Sequence, residues 1–214
     1  MIEQSLISQL SAPDASDRLD ALNELRKLRD NADISAPIRV RDVNNHIHTT
    51  YSFSPYSPSG AIWMADQAGL CTAGIMDHDS IGGAREFIAA GEILGLPTTI
   101  GAECRASFKG TKLEGRRINN PDQDTVAYVA LHGVPHTRID ALADFFKPIR
   151  QARARRNRQM TGRLNELLAP AGIVLDYERD VESLSEWQNG GEVTERHLLY
   201  AVALQILDRF ADGC

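Results

Sequence analysis

Short apolar runs alternating with amphipathic stretches set the first expectation for this chain. Leu19, Leu22, Leu25 and Leu28 recur every three positions between charged residues, which predicts a helix with one buried stripe. Asp14 or Ser16 is placed to cap its start, so residues 1–36 read as an N-terminal helical extension packed on the outside of the main domain. From Ile38 to Val43 the period shortens to two, as in a half-buried strand. Pro58 and Ser59 then open a helix through Ile62, Trp63 and Ala65 that stops at Gly69. Cys71 to Met76 predicts a second strand, Arg85 to Leu94 a second helix closed by Gly95, and Pro97 to Ala102 a third strand. A polar, turn-rich loop over residues 109–124 leads to a fourth strand, Thr125 to Leu131. Beyond it the pattern predicts a long helix from Arg138 to Leu168, with Pro148 as a bend point, and helices near Val181–Gln188 and Thr194–Phe210. This strand–helix rhythm predicts an α/β fold with parallel strands joined by crossover helices, and a site beyond the carboxyl ends of the strands.

Composition narrows the class. With 214 residues, 43% of them hydrophobic, the chain can bury one substantial core, and residues 37–214 read as the main domain. A net charge of −6 excludes a broad nucleic-acid-binding surface, whose affinity comes from neutralising phosphates. Cys71, Cys104 and Cys214 form no C-x-x-C pair and are odd in number, which points to a reducing compartment. With no apolar run long enough to span a bilayer and no basic-then-apolar leader, the expected location is cytoplasmic. Arg150, Arg153, Arg155, Arg156 and Arg158 are spread around a helix and read as a solvated surface.

The candidate chemistry gathers where the predicted strands end. His46 and His48, spaced by two, project from one strand face and can aim two imidazoles at one divalent ion. Asp77-His78-Asp79 follows the second strand and Glu103 the third, which offers a carboxylate able to join or bridge such an ion. His132 directly ends the fourth strand, with His136 as the alternative in the same segment. Cys104 beside Glu103 reads as a small apolar strand residue rather than a nucleophile.

His46-Ile-His-Thr-Thr-Tyr-Ser, then Ala68-Gly69-Leu70, then Ile75-Met-Asp-His-Asp-Ser80, then Gly101-Ala-Glu103, taken in order, resemble the PHP (polymerase and histidinol phosphatase) superfamily over roughly residues 38 to 210. The resemblance implies a distorted (β/α)7 TIM-like barrel, here partial, with two or three divalent ions (manganese, zinc or iron) at its carboxyl-end face. It implies that His46 and His48 hold one metal and that Glu103 bridges to a second held by His132 and His197. His78 would serve a third, while Asp77 and Asp79 would belong to the catalytic group by orienting His78 and its loop. Arg196, next to His197, is the expected phosphate contact. The implied activity is hydrolysis of a small phosphorylated substrate, a phosphomonoester, by a metal-activated hydroxide.

Two departures from the family pattern stand out. Phe53 occupies the place of a metal-binding aspartate, and no D-x-H pair follows residue 79. They lead to the expectation of the amino-terminal part of a longer protein, impaired alone, whose open barrel edge favours self-association. A non-catalytic module of the same fold and a metal-dependent amidohydrolase are the rival readings. The latter calls for a bridging lysine at a later strand end, and none lies between Lys112 and Lys147.

Overall fold

A computed structural model describes residues 2–210; Cys214 lies outside them. Four strands, β1 (Val43–Ile47), β2 (Thr72–His78), β3 (Thr98–Ser107) and β4 (Val126–His132), form one sheet in the order β1-β2-β3-β4. The pairs β1–β2 and β2–β3 are parallel, joined through helices α3 (Pro58–Gln67) and α4 (Ala84–Leu94). Two βαβ units therefore begin a TIM-like barrel. Local chemistry explains their boundaries. The Ser57 hydroxyl accepts from the Gly60 N–H at 2.9 Å with Pro58 in the first helical turn, and Gly95 ends α4 at a φ of 67°.

β4 differs from the expectation of a parallel strand: it pairs antiparallel with β3. A parallel return needs a crossover of a dozen or more residues, usually helical. The connection over residues 108–125 contains turns alone, closed by a Phe108 N–H to Thr125 carbonyl bond of 2.8 Å, so the chain folds back as a hairpin.

A bulge interrupts β1, where Asn44 pairs with Ala73 but Ile47 with Ile75. The extra β1 residue crowds the neighbouring strand at Gly74, where a Cβ would lie 2.7 Å from the Asn45 Cα, so only glycine fits.

The main core joins Ile62, Ile75, Phe87 and Ile100 to Leu22 and Leu25. The last two come from α2 (Ala15–Asp30), which follows α1 (Ile2–Gln9) and begins at an Asp14 cap. A buried ion pair, Arg18 to Glu86 at 2.5 Å, fastens α2 to α4, and the same carboxylate accepts from the Ser59 N–H and hydroxyl.

The second, smaller core packs Leu175, Tyr177, Val181, Val193 and Leu198 against α5 (Ile139–Leu168) and α6 (Glu195–Phe210). α5 runs through Pro148 as one helical element. Instead of a single helix near 181–188, a π turn (Tyr177–Val181) and two 3-10 turns (Glu182–Leu184, Trp187–Asn189) fill this stretch. Ser185 is extended at ψ 167° and Gly190 is left-handed at φ 91°, which breaks the helical run at both places. Among the described residues no helix is long and apolar enough to cross a membrane.

Candidate active site

The carboxyl ends of β1, β2 and β3 bring His46, His48, His78 and Glu103 together. In the parallel register His78 lies directly beside Glu103. One Glu103 carboxylate oxygen, Oε2, sits 2.9 Å from His46 Nε2, 3.8 Å from His48 Nε2 and 3.8 Å from His78 Nδ1. The His46 and His48 rings meet edge to face at 5.0 Å, and His48 stacks on His78 at 4.6 Å. Ligand atoms of His46, His48 and Glu103 all lie within 4.8 Å of one another, a donor set of two imidazoles and one carboxylate that suits a divalent metal. Burial lowers the pKa of His48 and takes His78 down to about 4, with the neighbouring His48 adding to the effect. Both rings are therefore neutral at physiological pH, the form in which imidazole binds metal.

Asp77 and Asp79 flank His78 and perform different tasks. Asp77 is 1% exposed and binds the loop that follows the histidine pair. It accepts from the Thr49 N–H at 2.7 Å, the Thr49 hydroxyl at 2.6 Å and the Ser52 hydroxyl at 2.7 Å. Ser52 Oγ in turn lies 3.5 Å from His48 Nδ1, which ties the buried carboxylate to the ring. Burial raises the Asp77 pKa and the Thr49 and Ser52 donors pull it back. Asp79 takes a left-handed φ of 46°, tolerated by a short polar side chain, while its N–H donates to the Glu103 carbonyl at 2.8 Å. This turn aims its carboxylate at Arg153 of α5, with which it pairs.

The other predicted residues are placed differently. His132 pairs across β3 with Gly101, while Glu103 faces Ala130. Because β4 runs antiparallel, its last residue points away from the ends of β1 and β2, and His132 lines a separate groove with Phe145 and Arg138. His136 is exposed in a 3-10 turn. His197 is 3% exposed, its Nδ1 accepts from the Thr194 N–H at 2.9 Å, and burial lowers its pKa to about 4. Phe53 packs edge-on against that ring at 4.9 Å. Arg196 is exposed and lines the cavity above the cluster.

That cavity, of about 370 Å³, is walled by His48, His78 and Glu103 on the strand side and by Arg153, Glu195 and Arg196 on the helical side. Among the solved structures similar to the chain, two illustrate the likeness. One is a protein from Bifidobacterium adolescentis assigned as a metal-dependent phosphoesterase (23% identity, TM-score 0.54, covering 83% of this chain and 56% of that one). The other is an amidohydrolase from Chromobacterium violaceum with sulfate bound and no metal (24% identity, TM-score 0.57, covering 79% of this chain and 50% of that one). The likeness is one of fold. The chain spans about half the length of the solved chains it matches. No protein-family model and no curated protein sequence matches it.

Sequence reasoning passed over the residues that reach the site from afar. Of the α5 arginines, Arg150, Arg153 and Arg156 are half-buried rather than solvated, while Arg155 and Arg158 stay exposed. Arg150 donates to the Gly191 and Trp187 carbonyls at 2.8 Å, Arg153 pairs with Asp79, and Arg156 pairs with Glu195. Glu192, fully buried, lies 3.5 Å from Arg153 Nε, and burial pushes its carboxyl up to about 8 against the pull of that guanidinium. Arg105 and Tyr128, from β3 and β4, complete the cavity wall. Cys104 also lines it, and burial raises its thiol pKa, which favours the protonated sulfur. One signal for Arg105 was available: its spacing of two from Glu103 on a strand.

Proposed function

We propose that the protein is a metal-dependent phosphoesterase acting on a small phosphomonoester. The observation that carries this reading is the convergence of His46, His48 and Glu103 on a cavity that also presents Arg105, Arg153 and Arg196. The donor set fits a divalent ion, with His46, His48 and Glu103 as its ligands and His78 at hand for a second. Such an ion supplies Lewis acidity, lowering the pKa of water and countering charge on phosphoryl oxygens. The chain's own residues prepare the ground for it. His48 and His78 stay deprotonated through burial, so their ring nitrogens are free to ligate. Asp77 holds the Thr49–Ser52 loop, and through Ser52 it limits rotation of the His48 ring. Each planar guanidinium can donate two parallel N–H bonds to a pair of oxygens of the tetrahedral phosphate.

The names of the two solved neighbours divide between ester and amide chemistry. Glu103 in the place next to the histidines, and three cavity arginines, favour the phosphate ester. The test is inorganic phosphate release from a phosphomonoester panel by protein loaded with manganese, zinc or iron, and by His46→Ala. Release that needs metal and disappears in the variant is expected. Stoichiometric metal with no turnover on any ester would sink the proposal in favour of a non-catalytic module, and turnover of amides alone would favour the amidohydrolase.

A further inference from the structure

Of the cavity's three guanidiniums, two differ sharply in their surroundings. Arg153 is held from both sides by Asp79 and Glu192. Arg105 has no carboxylate partner among the described residues, although its charge acts on Asp79, where it opposes the raising effect of burial, and on Glu195. Its Nε is buried and meets no hydrogen-bond acceptor. A buried donor left without an acceptor is costly, and charged donors most of all, so such a group marks a place where an acceptor is missing.

The position of Arg105 follows from the strand. It lies two residues beyond Glu103 on β3, so both side chains project from one face, and both line the cavity. Directly opposite in the antiparallel register is Tyr128, and the guanidinium carbon lies 5.4 Å from the centre of the Tyr128 ring. Tyr128 is itself fixed, since Asn119 donates to its carbonyl and accepts from its N–H, each at 2.9 Å. The hairpin that displaced His132 thus builds a stiff aromatic backing for one unpaired arginine beside the metal-ligand cluster.

We infer that Arg105 is the anion anchor of the cavity, donating to the oxygens of the substrate's phosphoryl group, with Tyr128 as the positioning residue that holds the guanidinium plane. The inference rests on the phosphoester reading and deepens it. It assigns to β3 the contact that the sequence assigned to Arg196, whose exposed side chain has no comparable backing.

The test is calorimetric titration of the metal-stripped chain with inorganic phosphate, so that neither metal nor turnover enters the readout. Arg105→Gln is expected to weaken phosphate by about tenfold or more, the loss of one charge-assisted hydrogen bond. Arg105→Lys should recover part of that affinity by restoring the charge. Tyr128→Ala should weaken phosphate less than Arg105→Gln, and Arg155→Ala, an exposed change on α5, should leave it as it was. An unchanged thermal midpoint in Arg105→Lys excludes a folding defect as the cause. Phosphate affinity in Arg105→Gln within about twofold of the parent, well under one charge-assisted bond, overturns the inference, as does an absence of saturable phosphate binding by the parent. Phosphate binding that needs Arg105, with no ester hydrolysed after metal loading, keeps the anchor and removes the phosphoesterase. Hydrolysis undiminished in Arg105→Gln does the reverse.

Discussion

The strand ends of β1–β3 and the helices α5 and α6 face the same cavity with different chemistry. The strand side supplies the imidazoles of His46, His48 and His78 and the Glu103 carboxylate, set by a parallel register that puts His78 beside Glu103. The helical side supplies guanidiniums whose charge is partly answered by Asp79, Glu192 and Glu195. Ligands for a cation come from rigid strand termini within one sheet. Of the cavity's guanidiniums, Arg105 stands on the strand side, while Arg153 and Arg196 reach across from a lobe with its own small core. The difference teaches that metal affinity and lobe attachment are separable properties, to be broken by different substitutions.

The largest effect is expected on the strand side. Glu103→Ala should remove bound metal by elemental analysis and lower phosphate release on the order of a thousandfold, since a Lewis acid supplies several kcal/mol. Metal content equal to the parent would break the assignment of the cluster. On the lobe side, Arg153→Ala leaves Asp79 buried without its cation and should cost about 3 kcal/mol in urea unfolding. Arg155→Ala should stay within about 0.5 kcal/mol, and equal losses for the two would mean that α5 is not fastened through Arg153. Asp77→Asn turns an amide toward three donors and should cost about 2 kcal/mol, together with about tenfold in metal affinity. A change in stability without a change in metal binding would separate Asp77 from His48.

A pH-dependent effect comes next. His197 is held at about 4, below its ordinary 6.5, so in the metal-free protein the unfolded state binds the extra proton between those values. Its stabilising contribution is complete above 6.5 and is lost as pH falls toward about 4. One unit below the ordinary value the loss is about 1.4 kcal/mol, and His197→Gln should flatten the profile there. The smallest effect belongs to the exposed pair Arg85 and Asp140, which links α4 to α5 at 2.8 Å. Arg85→Ala should shift stability by about 0.5 kcal/mol or less, and a larger loss would show that this surface link, rather than Arg153, holds the lobe.

The strand-side cluster was legible because two physical rules reach it directly. Strand alternation puts His46 and His48 on one face, and parallel βαβ units put their strand ends together. The direction of β4 was not legible, because the loop over 108–125 could be read as a connection without revealing that it is too irregular to cross over. His132 followed that misjudged direction. Arg153 escaped notice for another reason. Its partner Asp79 is far away in sequence, and a helix wheel alone cannot tell a solvated arginine from one seated against a second core. Glu192 gave no sign at all, since nothing local marks a loop glutamate whose cationic neighbours, Arg153 and Arg150, come from α5.

The two tryptophans divide between the two regions. Trp63 is buried in the main core with Arg29 over its ring at 5.2 Å, and Trp187 sits in the lobe beneath Arg150 at 4.5 Å. Each region therefore carries its own fluorophore with a cation over the ring. In a Trp63→Phe protein the remaining tryptophan emission reports on the lobe alone, so its colour and intensity follow whether Arg150 still lies on Trp187.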